Sequence, residues 1–264
     1  VPHMLEDMDY FRPSAIHFQK HGCYTRLRPN PNPNSEYGKW LRTEVKRSWY
    51  GYIRPSDGEW IPGDYYYYLN YCPIQLIKKL PNGQSIRTVD FPRVWDGQYL
   101  VSHYLYNARL HGHHASELAS RGKGKSYIGA SLLAKRFKLG ENQQVREKVQ
   151  SVVTASDKKY IYGPNQILNM FKYYIDFQSQ HTQFPRQLLT DSAQLLMWES
   201  GFKDKETGVR KGSQNAVIGV TTGVNQDKLN GSRGVLYLIE EAGIFSNLGS
   251  LYQMIRPSVE DGKD

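Results

Sequence analysis

Residues 119–127 read ASRGKGKSY, and Gly124-Lys125-Ser126 within them form the second half of the phosphate-binding pattern G-x-x-x-x-G-K-[S/T]. The first glycine of that pattern is replaced here by Ala119. Glycines let a backbone turn its amides onto an anion, a lysine delivers a point charge to phosphate oxygens, and a hydroxyl can ligate Mg2+. The next stretch, SYIGASLLAKRFKLG (126–140), repeats Ile128, Leu132, Leu133 and Phe137 at three- and four-residue steps. That spacing predicts a helix opening at the loop and closing at Gly140. Its first turn would add unpaired N–H groups and the positive end of the helix dipole to the same anion.

A second constellation follows 115 residues after Lys125, in NGSRGVLYLIEEAG (230–243). Val235 to Ile239 predict a buried strand that delivers Glu240 and Glu241 to its C-terminal end, where ligands gather in α/β sheets. With a triphosphate such as ATP, Lys125 would reach the β- and γ-phosphates. Ser126 and Glu240 would hold Mg2+, the latter through water, and Glu241 would orient and polarise the attacking water. Each half has a plainer reading: a basic turn for the loop, an acidic helix start for the glutamates. Their order along the chain is what joins them.

These motifs need a sheet and helices to position them. Apolar runs QSVVTAS (150–156), AVIGVTT (216–222) and GVLYLIEEAG (234–243) read as strands, and WDGQYLVSHYLYNARLHG (95–112) and 157–178 as helices, the latter broken at Gly163-Pro164. On the first of these helices Tyr99, Leu100, His103, Tyr104, Tyr106 and Leu110 spread over one broad face. Alternation of this kind predicts an α/β fold with a mostly parallel sheet flanked by helices. Residues 1–85 read as an irregular Tyr/Pro-rich region: RPNPNPNSEYG (28–38) is a loop, the tyrosine run at 65–68 favours a strand, and PNGQ (81–84) is a turn whose flanks form a hairpin or two edge strands.

Composition sets bounds. The 264 residues carry a net charge of +9, which suits a polyanionic partner or simply a lysine-rich surface. No run nears the ~18 apolar residues of a membrane span, and no secretory signal opens the chain. Cys23 and Cys72 stand alone, which excludes a zinc or disulfide framework and suits a reducing compartment.

Together, ASRGKGKSY and NGSRGVLYLIEEAG resemble the ATPase domain of the large terminase subunits of tailed bacteriophages, over roughly residues 86–250. The resemblance implies a P-loop NTPase over 86–264, with 1–85 packing on it, that hydrolyses ATP with Mg2+ to drive double-stranded DNA into a viral capsid. It implies a nucleotide site of Ser120, Arg121, Gly122, Lys123, Gly124, Lys125, Ser126 and Tyr127, with Gln98 of FPRVWDGQ (91–98) reading adenine. Arg121 would act in the loop on the γ-phosphate, or else contact DNA. Arg233-Gly234 is similar to a pair that often precedes the acidic strand in this family. The implied partners are a portal protein, a small terminase subunit and further copies in a ring, although the isolated domain could be monomeric. The implied location is the host cell cytoplasm.

Two departures matter: Glu240 stands where aspartate is usual, and the chain ends at Asp264, where a coupling segment and a nuclease domain are expected. No nuclease activity is therefore expected of this chain. Rival readings are a helicase-type DNA-directed ATPase, an ATP-binding assembly module with little turnover, and a structural DNA-binding protein. Three further signals carry less weight. HGHHASE (111–117) offers His113 and Glu117 one helical turn apart, KDKETGVRKGSQ (203–214) offers four cations for phosphate backbones, and Trp60 or Trp95 could stack on a base.

Overall fold

The computed structural model describes residues 8–120, 122–185, 187–222 and 234–260. The chain divides into two compact units, Val1–Ser131 with Gln180–Gln183, and Leu132–Ser179 with Phe184–Asp264. Among the described residues no helix is long and apolar enough to cross a membrane.

The first unit is built on helices where the sequence suggested irregular chain. They are α1 (Pro13–His21), α2 (Glu36–Tyr50), α3 (Gly63–Tyr71) and α4 (Asp96–Leu110). Two short antiparallel pairs join them: β1 (Tyr52–Ile53) with β2 (Trp60–Ile61), and β3 (Ile74–Lys79) with β4 (Ser85–Asp90). The second is the hairpin predicted around PNGQ. The tyrosine run is helical rather than extended, and Tyr65, Tyr66, Tyr67, Tyr68 and Tyr71 are all at most 2% exposed. Strand propensity loses here because a helix that is apolar all round is satisfied by burial all round. On α4, too, the expected apolar face does not turn inward: Gln98, Ser102 and Ala108 are buried, whereas Leu100, Tyr104 and Leu110 are exposed.

Polar groups lock α1, α2 and α3 together. Asn70 Oδ1 accepts from the amides of Ser14 (3.0 Å) and Ala15 (3.2 Å), so a residue of α3 caps the first turn of α1. Glu44 of α2 is only 1% exposed. Its Oε2 accepts from Ser14 Oγ (2.7 Å), Tyr66 OH (2.8 Å) and Tyr71 OH (2.5 Å), and its Oε1 from Arg47 (2.7 Å). A carboxylate that accepts four hydrogen bonds, one of them from a counter-ion, tolerates such burial.

The helix α5 (Lys125–Leu139) follows the phosphate-type loop, and Ile128, Leu132, Leu133 and Phe137 are buried as its periodicity predicts. The second unit is a five-stranded sheet in the order β11-β5-β10-β7-β6. Its strands are β5 (Gln150–Ala155), β6 (Leu188–Ser192), β7 (Met197–Ser200), β10 (Ala216–Thr221) and β11 (Leu236–Ile239); β8 (Phe202–Lys203) and β9 (Arg210–Lys211) form a separate hairpin. Strands β10 and β11 both run parallel to β5, whereas β7 is antiparallel to β10 and to β6. The sheet is therefore mixed, and only its β11-β5-β10 part is parallel. The difference arises because residues 188–200 form a hairpin, turning at Leu196 (φ 51°), whose second strand joins the sheet in reverse.

Helices cover both faces of this sheet. On one face Val152, Val220, Tyr237 and Ile239 pack with Leu251 and Ile255 of α7 (Leu248–Glu260). On the other, α6 (Ile167–His181) sets Phe171 edge-on to Trp198 and to Phe137, at centroid distances of 5.6 and 5.4 Å. Gly219 admits α6 closely, since a Cβ there would lie 2.7 Å from Leu168.

Glu44→Ala leaves two tyrosine hydroxyls and a serine without their acceptor and Arg47 without its counter-ion. The expected loss is about 3 kcal/mol of unfolding free energy in urea titration; a change below about 1 kcal/mol would show that the network is not structural.

Candidate functional site

The loop takes the shape that its glycines permit. Gly122 (φ 78°) and Gly124 (φ 81°) are both left-handed, so the backbone turns sharply on either side of Lys123. The Gly124 carbonyl is the first helical acceptor and takes a hydrogen bond from the amide of Ile128 (3.1 Å). Helix geometry consequently leaves the amides of Lys125, Ser126 and Tyr127 without an intrahelical acceptor at the N-terminus of α5. Lys125 arches back over the loop, and its Nζ donates to Ala119 O at 3.0 Å. Lys125, Ser126 and Tyr127 are half-buried, and Ser120 is exposed. Arg121 lies outside the described residues, as does Arg233.

Gln98 is brought onto this loop. It is 8% exposed, its Nε2 donates to Lys123 O at 3.4 Å, and a Cβ on Gly124 would come within 2.4 Å of that nitrogen. The side chain therefore holds the loop in place, a role that its sequence position did not reveal. Trp95, three residues earlier, carries the Lys123 ammonium 5.0 Å above its ring, a cation–π contact also not foreseen. Tyr65 OH fixes the backbone of Trp95 by accepting from its amide (3.3 Å). Trp60 is an anchor: its Nε1 donates to Tyr50 O (3.1 Å), and its ring lies edge-on to His103 and Tyr106.

The residues that feed the loop differ from the usual context of the motif. In strand–loop–helix sites the loop follows a strand; here residues 113–120 have no regular secondary structure. His111 and His113 lie with their rings 6.1 Å apart, and among the described residues no three His, Cys, Asp or Glu side chains group to hold a metal ion.

The acidic pair sits at the C-terminal end of β11. The ladder to β5 runs Leu236↔Ser151 to Ile239↔Thr154 and gains one further bond, from the Glu240 amide to Thr154 O at 2.9 Å. Glu240 is thus held in strand register and half-buried. At Glu241 the chain leaves the strand abruptly, in a left-handed conformation (φ 50°, ψ 48°), and its carbonyl accepts from Ile244 to start a single 3-10 turn. A non-glycine residue in that region stores strain, and such outliers gather at functional sites. The Glu241 side chain is exposed.

The basic loop at 203–214 neutralises much of its own charge. Lys211 pairs with Asp204 at 2.5 Å and Arg210 with Glu199 at 3.2 Å. Asp204 also accepts from the amides of Glu206 and Thr207, which closes the β8–β9 turn. The Lys211 hydrogen bond, followed by those from Thr207, brings the Asp204 carboxyl down to about 2.

Searches of protein-family models, of curated proteins and of solved structures each returned no significant match.

Two outcomes are expected here. Glu241→Gly relieves the left-handed strain and raises stability by about 1 kcal/mol in chemical denaturation; a loss of similar size would show the conformation to be unstrained. Because the folded Asp204 titrates below its unfolded value, its contribution is present above about pH 4 and disappears as pH falls through about 2. NMR titration of the carboxyl carbon should give that low midpoint, and a midpoint near the ordinary value would remove the Lys211 pairing.

Proposed function

We propose that this chain is a P-loop ATPase of the large-terminase type, which hydrolyses ATP with Mg2+ and couples the reaction to movement of double-stranded DNA into a viral capsid. The observation that carries the reading is the loop itself: two left-handed glycines, a lysine arched across the turn, and a helix whose first amides follow at once. That is an anion cradle by its donor chemistry. The strained acidic end of β11 supports the same reading from the other motif.

In this proposal the amides of Gly122 to Tyr127 and the Lys125 ammonium bind the β- and γ-phosphates, with Arg121 adding charge at the γ-phosphate as the bond breaks. Ser126 and Glu240 provide hard oxygen donors of the kind Mg2+ takes, and the ion would neutralise charge on the phosphates. Glu241 orients the water and accepts its proton. Gln98 keeps the loop shaped and would offer its remaining amide capacity to adenine. The DNA, a portal protein, a small terminase subunit and a homo-oligomeric ring in the host cytoplasm belong to the same proposal.

Mg-ATP should raise the melting temperature of the protein, and Lys125→Ala should abolish that rise. Glu241→Gln should keep it while lowering phosphate release by about 100-fold or more, the usual range for loss of a positioned base. Full turnover in Glu241→Gln would overturn the catalytic role; a wild-type protein that ATP does not stabilise would overturn the nucleotide site.

A further inference from the structure

Positive charge is concentrated in one short stretch. Residues 20–47 carry seven lysines and arginines against two glutamates, so more than half of the chain's +9 surplus falls here. The helix α2 sorts these side chains by face. Tyr37, Gly38, Glu44, Ser48 and Trp49 are buried, while Lys39, Arg42 and Lys46 lie exposed at three- and four-residue spacing, which makes a row on the solvent side. At 1.5 Å rise per residue this row is about 10 Å long, close to the rise of three base pairs of duplex DNA at roughly 3.4 Å each.

The charges in this region are largely unopposed. Of the two glutamates, Glu44 is buried against Arg47 and Glu36 pairs with Lys39. Among the described residues Lys20, Arg26, Arg28, Arg42 and Lys46 have no acidic partner within ion-pair distance. Arg42 donates instead to the carbonyl of Pro33, which fixes its guanidinium without neutralising it. Arg26 donates to His21 Nδ1 at 2.9 Å, and the His21 ring is held below its ordinary range by burial and then by Arg26, His17 and Lys20.

The scaffold under these groups is stiff. Pro29, Pro31 and Pro33 restrict the loop between α1 and α2, and Asn30 and Asn32 close successive turns onto the amides of Asn32 and Asn34 (2.8 and 2.9 Å). The loop seats on α2 so closely that a Cβ at Gly38 would meet Pro33 O at 2.6 Å. In the other basic segment, 203–214, Arg210 and Lys211 are already paired, which leaves Lys203 and Lys205 rather than a row along a helix.

We propose that the row Lys39-Arg42-Lys46 of α2 is the surface on which this protein grips the phosphate backbone of double-stranded DNA. A row in which Arg42 and Lys46 have no acidic partner, and Lys39 meets only the exposed Glu36, gives affinity without sequence preference, which a translocated duplex demands. The choice of duplex DNA as occupant rests on the motor reading above.

The test is fluorescence anisotropy of the full chain on a labelled mixed-sequence duplex across a salt series, with Lys39→Gln/Arg42→Gln/Lys46→Gln against wild type. Loss of three phosphate contacts should weaken binding at least tenfold and flatten the log–log salt slope by about 2.7, at roughly 0.9 per contact. Lys203→Gln/Lys205→Gln should leave both quantities unchanged. Protection of Lys39 and Lys46 from acetylation by bound duplex gives a readout free of substitutions. An unchanged slope in the triple variant, or a wild-type chain that does not bind duplex, overturns the assignment; in the first case the row is left to an acidic protein surface. Mg-ATP stabilisation measured on the same samples separates the two readings: its loss in wild type sinks the ATPase and not the row, and its retention beside an unchanged slope sinks only the row.

Discussion

The side-chain amide of Asn215 is the constraint from which the second unit is organised. It is fully buried; its Oδ1 accepts from the Val149 amide at 2.9 Å, and its Nδ2 lies 3.1–3.2 Å from the carbonyls of Arg136, Phe137 and Arg146. One residue therefore satisfies the last turn of α5, the chain that leaves it and the entry to β5 at a single point. Its own backbone opens β10, where the Ala216 amide donates to Val149 O. The register of β5 against β10 follows, then that of β11 against β5, and with it the position at which Glu240 leaves the sheet.

A different device serves the first unit. There the apolar surface is mostly aromatic, and the polar tips of those rings need acceptors inside the protein. Glu44, Asn70 and Gln98 provide them or fix the backbone between them, so three short polar side chains determine how α1, α2, α3 and the glycine loop meet. At Gln98 the amide that the resemblance marks for adenine braces the loop.

The sequence was most legible where periodicity and punctuation agreed. The helix at 125–139, the strands at 150–155, 216–221 and 236–239, and the hairpin at 74–90 all follow from apolar spacing bounded by turn residues. Four consecutive tyrosines misled because their extended propensity is a statement about half-buried surfaces, whereas these are wholly buried. The hints of a helix were Gly63 and Asp64 in a first turn after Pro62. Helix α2 carried a clear start in Ser35, whose side chain accepts from Gly38, but the prolines before it dominated the reading. Of the candidate site, the loop and the acidic tip were visible as motifs; the left-handed backbone at Glu241 and the Lys123–Trp95 contact depend on neighbours distant in sequence, which spacing cannot report.

The buried tyrosines also set a ceiling on the solvent conditions this fold endures. Burial raises the phenols of Tyr24, Tyr66 and Tyr71 well above their ordinary range, and Tyr65 and Tyr68 shift in the same direction. Such groups favour the native state fully only below about pH 10, where the unfolded chain keeps its phenols neutral. Above that point every phenolate formed in the unfolded chain draws the equilibrium towards it, so alkali acts on this protein as a denaturant aimed at the aromatic heart of its first unit.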